Sequence, residues 1–148
     1  MKSIQRILLA TDFSASADAA ADVAARLAEQ LHAMVDVVTV VDRSGWTDVS
    51  SDPAFHRQGI GEICEEARKR ARTFADRHFA EIEDVRVHVR DGEHVVKEIL
   101  HAAENLKSDL IVMGTHGTKG LAHLIIGSVA ETVVRTSPIP VVTVRGLP

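Results

Sequence analysis

Five short apolar runs alternate with longer stretches whose apolar residues recur at helical spacing, and this alternation leaves few folds open. Ile7-Leu8-Leu9-Ala10, residues 35–41 and Leu110-Ile111-Val112-Met113 are short runs dominated by aliphatic side chains. Runs of that length read as strands buried on both faces. Val85 and Val87 instead alternate with Arg86 and His88, the pattern of a half-exposed edge strand. Val141-Val142-Thr143-Val144 supplies a fifth strand. Between them, Ala20, Val23, Ala24, Leu27 and Leu31 mark one helical stripe. Ile60, Ile63, Cys64, Ala67, Ala71, Phe74, Ala75 and Phe79 mark a longer one, and Val95, Val96, Ile99, Ala103 and Leu106 a third. A fourth helix spans roughly Val129 to Thr136 and is stopped by Pro138-Ile139-Pro140. Ser14 stands where it can cap the first helix, and Asp91-Gly92 reads as a turn.

The resulting β-α-β-α-β-α-β-α-β order predicts an α/β fold, a doubly wound five-stranded parallel sheet with helices on both faces. With the strand order 3-2-1-4-5, the winding reverses between the first and fourth strands. Ligands of such sheets bind at that switch point, beyond the carboxyl ends of the strands. Asp12 ends the first strand and Gly114 the fourth, so two stretches remote in sequence are expected to meet at one crevice. Residues 1–148 read as a single domain without internal repeats. The longest aperiodic stretch, residues 43–58, reads as a loop of functional length.

Composition excludes several function classes. The formal net charge is −4 and no basic stripe is present, which argues against a nucleic-acid surface. Tyrosine is absent and aromatic residues are few, so no base-stacking platform is expected. Apolar stretches are only a few residues long, too short to span a membrane. The first residues lead directly into a strand and do not read as a signal peptide, so a cytoplasmic location is expected. The single cysteine, Cys64, excludes an internal disulfide, and its place on an apolar stripe makes it a small core hydrophobe more than a nucleophile. His94 and His101 sit two turns apart opposite an apolar stripe, a solvated face and not a ligand pair.

Chemistry concentrates after the fourth strand. Gly114 and Gly117 follow it, and Gly127-Ser128 opens the last helix. Glycines at a strand-to-helix passage let backbone approach a ligand closely, and unpaired N–H groups at a helix start favour an anion such as a nucleotide phosphate chain. The competing reading is that they only make a turn. Ser128 and Glu131 also fit a capping box for the last helix, which is compatible with phosphate contact. Asp12 is either a strand-end cap or a ligand group, and His116 either a phosphate donor or an idle surface histidine. The pattern G-x4-G-K-[ST] is absent, as is G-x-G-x-x-G after the first strand, and no Ser-His-Asp order, carboxylate pair or zinc spacing stands out.

Taken together, Ala10-Thr11-Asp12-Phe13-Ser14, the pattern G-x2-G-x9-G-[ST] at Gly114, Gly117, Gly127 and Ser128, and the closing Ser137-Pro138-Ile139-Pro140-Val141-Val142 resemble the universal stress protein family along essentially the whole chain. The glycine pattern is the one its ATP-binding members share. The resemblance implies ATP, with Mg2+ brought by the phosphates and Asp12 as a candidate link to it. It implies that Asp12 and Val40 flank the adenine, with Ala10 and Thr11 beside it. Met113 and Gly114 border the ribose, while His116, Gly117, Gly127, Ser128 and Val129 approach the phosphates. Many ATP-binding members carry Arg after the second glycine; here Thr118 stands there, followed by Lys119. The resemblance further implies a homodimer paired through Val141–Val144 and a sensor or regulator of stress response more than a catalyst. A nucleotide-free interaction protein of the same fold and a slow ATP hydrolase are the rival expectations.

Overall fold

The computed structural model of the chain describes residues 2–46, 53–116 and 126–146. Strands β1 (Arg6–Ala10), β2 (Met34–Asp42), β3 (Val85–Gly92), β4 (Leu110–Gly114) and β5 (Val141–Val144) form one sheet in the order β3-β2-β1-β4-β5, as the sequence predicts. Every neighbouring pair is parallel. Helices α1 (Ala15–Leu31), α2 (Pro53–His78), α3 (Val95–Asn105) and α4 (Ser128–Thr136) make the crossovers.

Side chains alternate between the two faces of a strand, so each central strand feeds two cores. Ile7, Leu9, Val35 and Val37 pack with Ala20, Ala24, Ala28, Phe74 and Phe79 under α1 and α2. Leu8, Ala10, Val38, Ile111 and Met113 pack with Ile99, Ala103, Ala130 and Val133 under α3 and α4. Each large aliphatic side chain removed from water here contributes about 2 kcal/mol. The alanines of α1 bring its backbone close to the sheet. That stripe ends earlier than its periodicity predicts, because Leu31 is 43% exposed. The chain leaves α1 through His32, whose φ of 53° does the work usually given to glycine, while Ala33 N–H donates to Ala28 O.

Three sequence expectations are corrected. Residues 53–58 do not belong to a loop: α2 already begins at Pro53, where a missing N–H costs the helix nothing. Residues 47–52 of that stretch lie outside the described residues. The apolar stripe of α2 is buried only in its second half, at Ala71, Phe74, Ala75 and Phe79; Ile63 is 44% exposed and Cys64 is only half-buried. Partial burial and the carboxylate of Asp91 push the Cys64 thiol pKa up, so it is a poor nucleophile all the same. Asp91-Gly92 is not a turn, because β2 runs on to Asp42 and keeps both residues in its ladder.

At the amino ends of the central strands, Asp109 ties β1 to β4. Its carboxylate accepts N–H bonds from Gln5 at 3.0 Å and Arg6 at 3.1 Å, with Lys2 Nζ 3.4 Å away, and its own N–H donates to Arg6 O. The Gln5 N–H first, then those of Arg6 and Lys2, hold its pKa below the usual carboxylate range against the opposing effect of burial. This clasp leaves the carboxyl ends to be shaped by their loops.

Candidate functional site

At the carboxyl end of the sheet, Ala10 lies between Val38 of β2 and Met113 of β4. Beyond it the chain turns sharply. Thr11 is buried, its N–H donating to Val38 O at 2.9 Å. Its Oγ1 accepts the Phe13 N–H, and Asp12 Oδ1 accepts the Ser14 N–H, each at 3.0 Å. Between these two bonds Phe13 is held at a φ of 65°, which an L-residue rarely adopts. Its ring pays for this by packing edge-on to Phe74 at 5.7 Å, with the Arg70 guanidinium 4.4 Å above it. Ser14 caps α1 as expected, its Oγ accepting from the Ala17 N–H at 3.2 Å.

The stretch after β4 meets this turn directly. His116 N–H donates to Ser16 Oγ at 3.3 Å, and Ser14 Oγ donates to His116 O at 3.4 Å. Ser16 Oγ also lies 3.4 Å from Val144 O, where it donates to the end of β5. A Cβ on Gly114 would stand 2.2 Å from Ser16 Oγ and 2.8 Å from the Ser16 carbonyl. Gly127 N–H donates to Thr115 O, and a Cβ there would stand 2.9 Å from that oxygen. Among the described residues no glycine has a positive φ, so Gly114 and Gly127 serve close approach and not an unusual backbone angle.

The two expected loops therefore converge, but their amides are not all bare: those of His116 and Gly127 are taken up inside the protein. The expected capping box also does not form. Thr115 O holds Gly127 in extended backbone as the N-cap of α4, which makes Ser128 the first helical residue. Glu131 N–H bonds Gly127 O at 2.9 Å, and no side chain caps the helix. Among the described residues no side chain thus accepts from the first-turn amides of α4, Ser128 to Ala130. A helix start in that condition carries about half a positive charge and favours an anion.

Ala10, Val40, Met113, Ile126 and Val129 all contribute to the core on this side of the sheet, so the apolar members of the predicted set share one face. Val40 lies two residues beyond Val38 and opposite Arg90. Asp12 is exposed and Thr115 Oγ1 is 2.8 Å from His116 Nδ1. Gly117, with Thr118 and Lys119, lies outside the described residues. His94 precedes α3 as its N-cap, so only His101 stands on that helix. Among the described residues no three His, Cys, Asp or Glu groups could hold a metal ion, and no helix is long and apolar enough to cross a membrane.

Sequence reasoning missed Ser16, whose hydroxyl joins both loops to β5. The only available signal was a second serine two residues after the cap. It also missed Asp36, fully buried on β2 with its Oδ1 2.8 Å from His88 Nε2 of β3. A lone aspartate within a valine-rich run was its signal.

A family model described as the universal stress protein family matches residues 3–145. Universal stress protein MJ0531 of Methanocaldococcus jannaschii is 34% identical over 144 residues, covering 95% of this chain and 82% of that protein. Among solved structures, hypothetical protein MJ0577 superposes with a TM-score of 0.86 at 26% identity, covering 99% of each chain. A universal stress protein in complex with cAMP superposes with a TM-score of 0.63 at 25% identity, covering 99% of this chain and 100% of that one.

Proposed function

The chain belongs to the universal stress protein family, and on that premise we propose that it binds ATP where the β1–α1 turn meets the end of β4, as a nucleotide-dependent sensor or regulator. One observation carries the reading. Among the described residues the start of α4 has no side-chain cap, and it is seated beside both loops through the Gly127–Thr115 contact. Phosphates would take the first-turn amides of Ser128 and Val129, with Gly127, Gly117 and His116 alongside. Val40, Met113 and Gly114 would border the base and sugar, with Ala10, Thr11 and Asp12 opposite. Mg2+ would arrive on the phosphates, with the Asp12 carboxylate facing it. The cAMP-bound relative supports a nucleotide as the ligand class.

The same proposal assigns β5 to pairing with a second copy. It is an outer strand with all four residues half-buried, and an uncovered edge invites another strand. Bound ATP ties the ends of β1 and β4 together, and its level is read by protein partners.

A second reading, a nucleotide-free interaction protein, draws on the internal use of the His116 and Gly127 amides. Thermal melting with and without Mg-ATP separates the two. A ligand at about a hundredfold excess over its dissociation constant stabilises the folded state by about 2.7 kcal/mol, a rise of several degrees. No shift at millimolar Mg-ATP would favour the nucleotide-free reading. Steady release of phosphate, abolished by His116→Ala, would instead point to a slow hydrolase.

A further inference from the structure

Two strands away from that crest, a groove of about 260 Å3 runs along edge strand β3, reached by both α2 and α3. Its polar lining comes from Arg68, His88, Arg90 and Asn105, and Ala102 and Leu106 supply apolar wall. Among the described residues no carboxylate lines it, in a chain whose net charge is −4. Among the described residues each guanidinium is anchored through one nitrogen: Arg90 Nε donates to Glu98 Oε2 and Arg68 Nη1 to Glu65 Oε2, both at 2.8 Å. An arginine carries five N–H donors, so both keep most of their fork for a ligand.

His88 is fixed from below. Its Nε2 lies 2.8 Å from Oδ1 of Asp36, a carboxylate with no exposure to solvent, whose Oδ2 has no hydrogen-bond partner. A buried carboxylate left half-satisfied is costly, and a stable fold keeps one where it does something. Here it commits Nε2 of His88, a residue that lines the groove, and leaves Nδ1 as the ring's other polar atom. Two cationic forks, a primary amide and an oriented imidazole over an apolar wall suit an anion with a short hydrocarbon body. A planar carboxylate matches the fork of arginine in geometry as well as charge.

We propose that this groove binds a short-chain organic carboxylate, its charge held by Arg68 and Arg90 and its orientation set by Asn105 and the Asp36-anchored ring of His88. The site is independent of the nucleotide crevice and stands if that reading fails. The test is heteronuclear NMR of the full chain at constant ionic strength, titrated with butyrate, butyramide and inorganic phosphate in separate arms. Butyrate is expected to shift the backbone amides of His88 and Arg90 and the side-chain amide of Asn105 saturably, with a dissociation constant of about 1 mM. Butyramide, which has the body without the charge, is expected to leave them in place. Arg68→Gln, on an exposed helix surface, and Arg90→Gln are each expected to weaken butyrate about tenfold. Absence of saturation with butyrate, an equal response to butyramide, a stronger response to phosphate, or indifference to both substitutions would each overturn the assignment.

Discussion

The crest between β1 and β4 and the outer edge at β3 are held together by opposite means. At the crest the contacts are neutral and steric: serine hydroxyls, carbonyls, and two glycines whose missing side chains let backbone touch backbone. At the edge the contacts run between polar and charged side chains: a hydrogen bond joins Asp36 and His88, and ion pairs join Arg90 to Glu98 and Arg43 to Asp91, the last at 2.9 Å. A region built on close approach keeps its charge balance open for a ligand's charge. A region built on ion pairs has used much of its own, and what it can bind is set by the donors left over.

The largest test of that contrast is at the edge. Replacing His88 with Val leaves Asp36 buried without its partner and should lower stability by about 3 kcal/mol in chemical denaturation. Replacing both residues with Val should recover most of the loss, since a well-packed apolar pair leaves no buried polar group without a partner. A double variant no more stable than the single one would show that the loss does not come from leaving Asp36 without its partner.

Next comes the crest. Gly114→Ala should cost about 2 kcal/mol, because its Cβ would overlap the Ser16 backbone and hydroxyl, closer than van der Waals contact allows. Gly59→Ala and Gly61→Ala in α2, where an added Cβ meets nothing, should instead stabilise by about 0.5 to 1 kcal/mol. Equal effects at all three positions would remove the steric account of the crest.

The clasp at the far end of the sheet comes third. Asp109→Ala should cost about 1.5 kcal/mol at neutral pH through two lost N–H bonds. The folded-state pKa of Asp109 is depressed, so its contribution is fully present above the unfolded value of about 4 and is lost as pH falls through the lower folded value. Stability curves of the parent chain and the variant should therefore converge in acid. A gap that stays constant down to the lowest pH would contradict this.

These two regions also differ in how far they were legible in the sequence. The parallel sheet followed from alternation, because burial on both faces forces continuous apolar runs such as Leu110-Ile111-Val112-Met113, and with the order 3-2-1-4-5 the switch-point rule brought the β1–α1 turn to the end of β4. The glycines marked the crest for a sound reason, since only glycine fits beside Ser16 and Thr115. What each glycine touches was not legible, nor that Gly127 and not Ser128 would cap α4, because both depend on contacts about a hundred residues away in the chain or on which oxygen reaches an amide first. The start of α2 at Pro53 was hidden because an exposed helix turn needs no apolar period. The edge was least legible: Asp36 and His88 are 52 residues apart, and only the β2–β3 register brings them to one face.

The central claim is that the uncapped start of α4, beside the joined loops, holds a nucleotide's phosphates. Calorimetric titration of Mg-ATP into the parent chain and into Ser128→Asp tests it most directly. The exposed aspartate complements the helix dipole and should leave melting unchanged or slightly higher, while repelling phosphate. Saturable binding to the parent chain, weakened at least about tenfold in the variant, is the predicted result. No binding to the parent chain, or equal binding to both, would contradict the account.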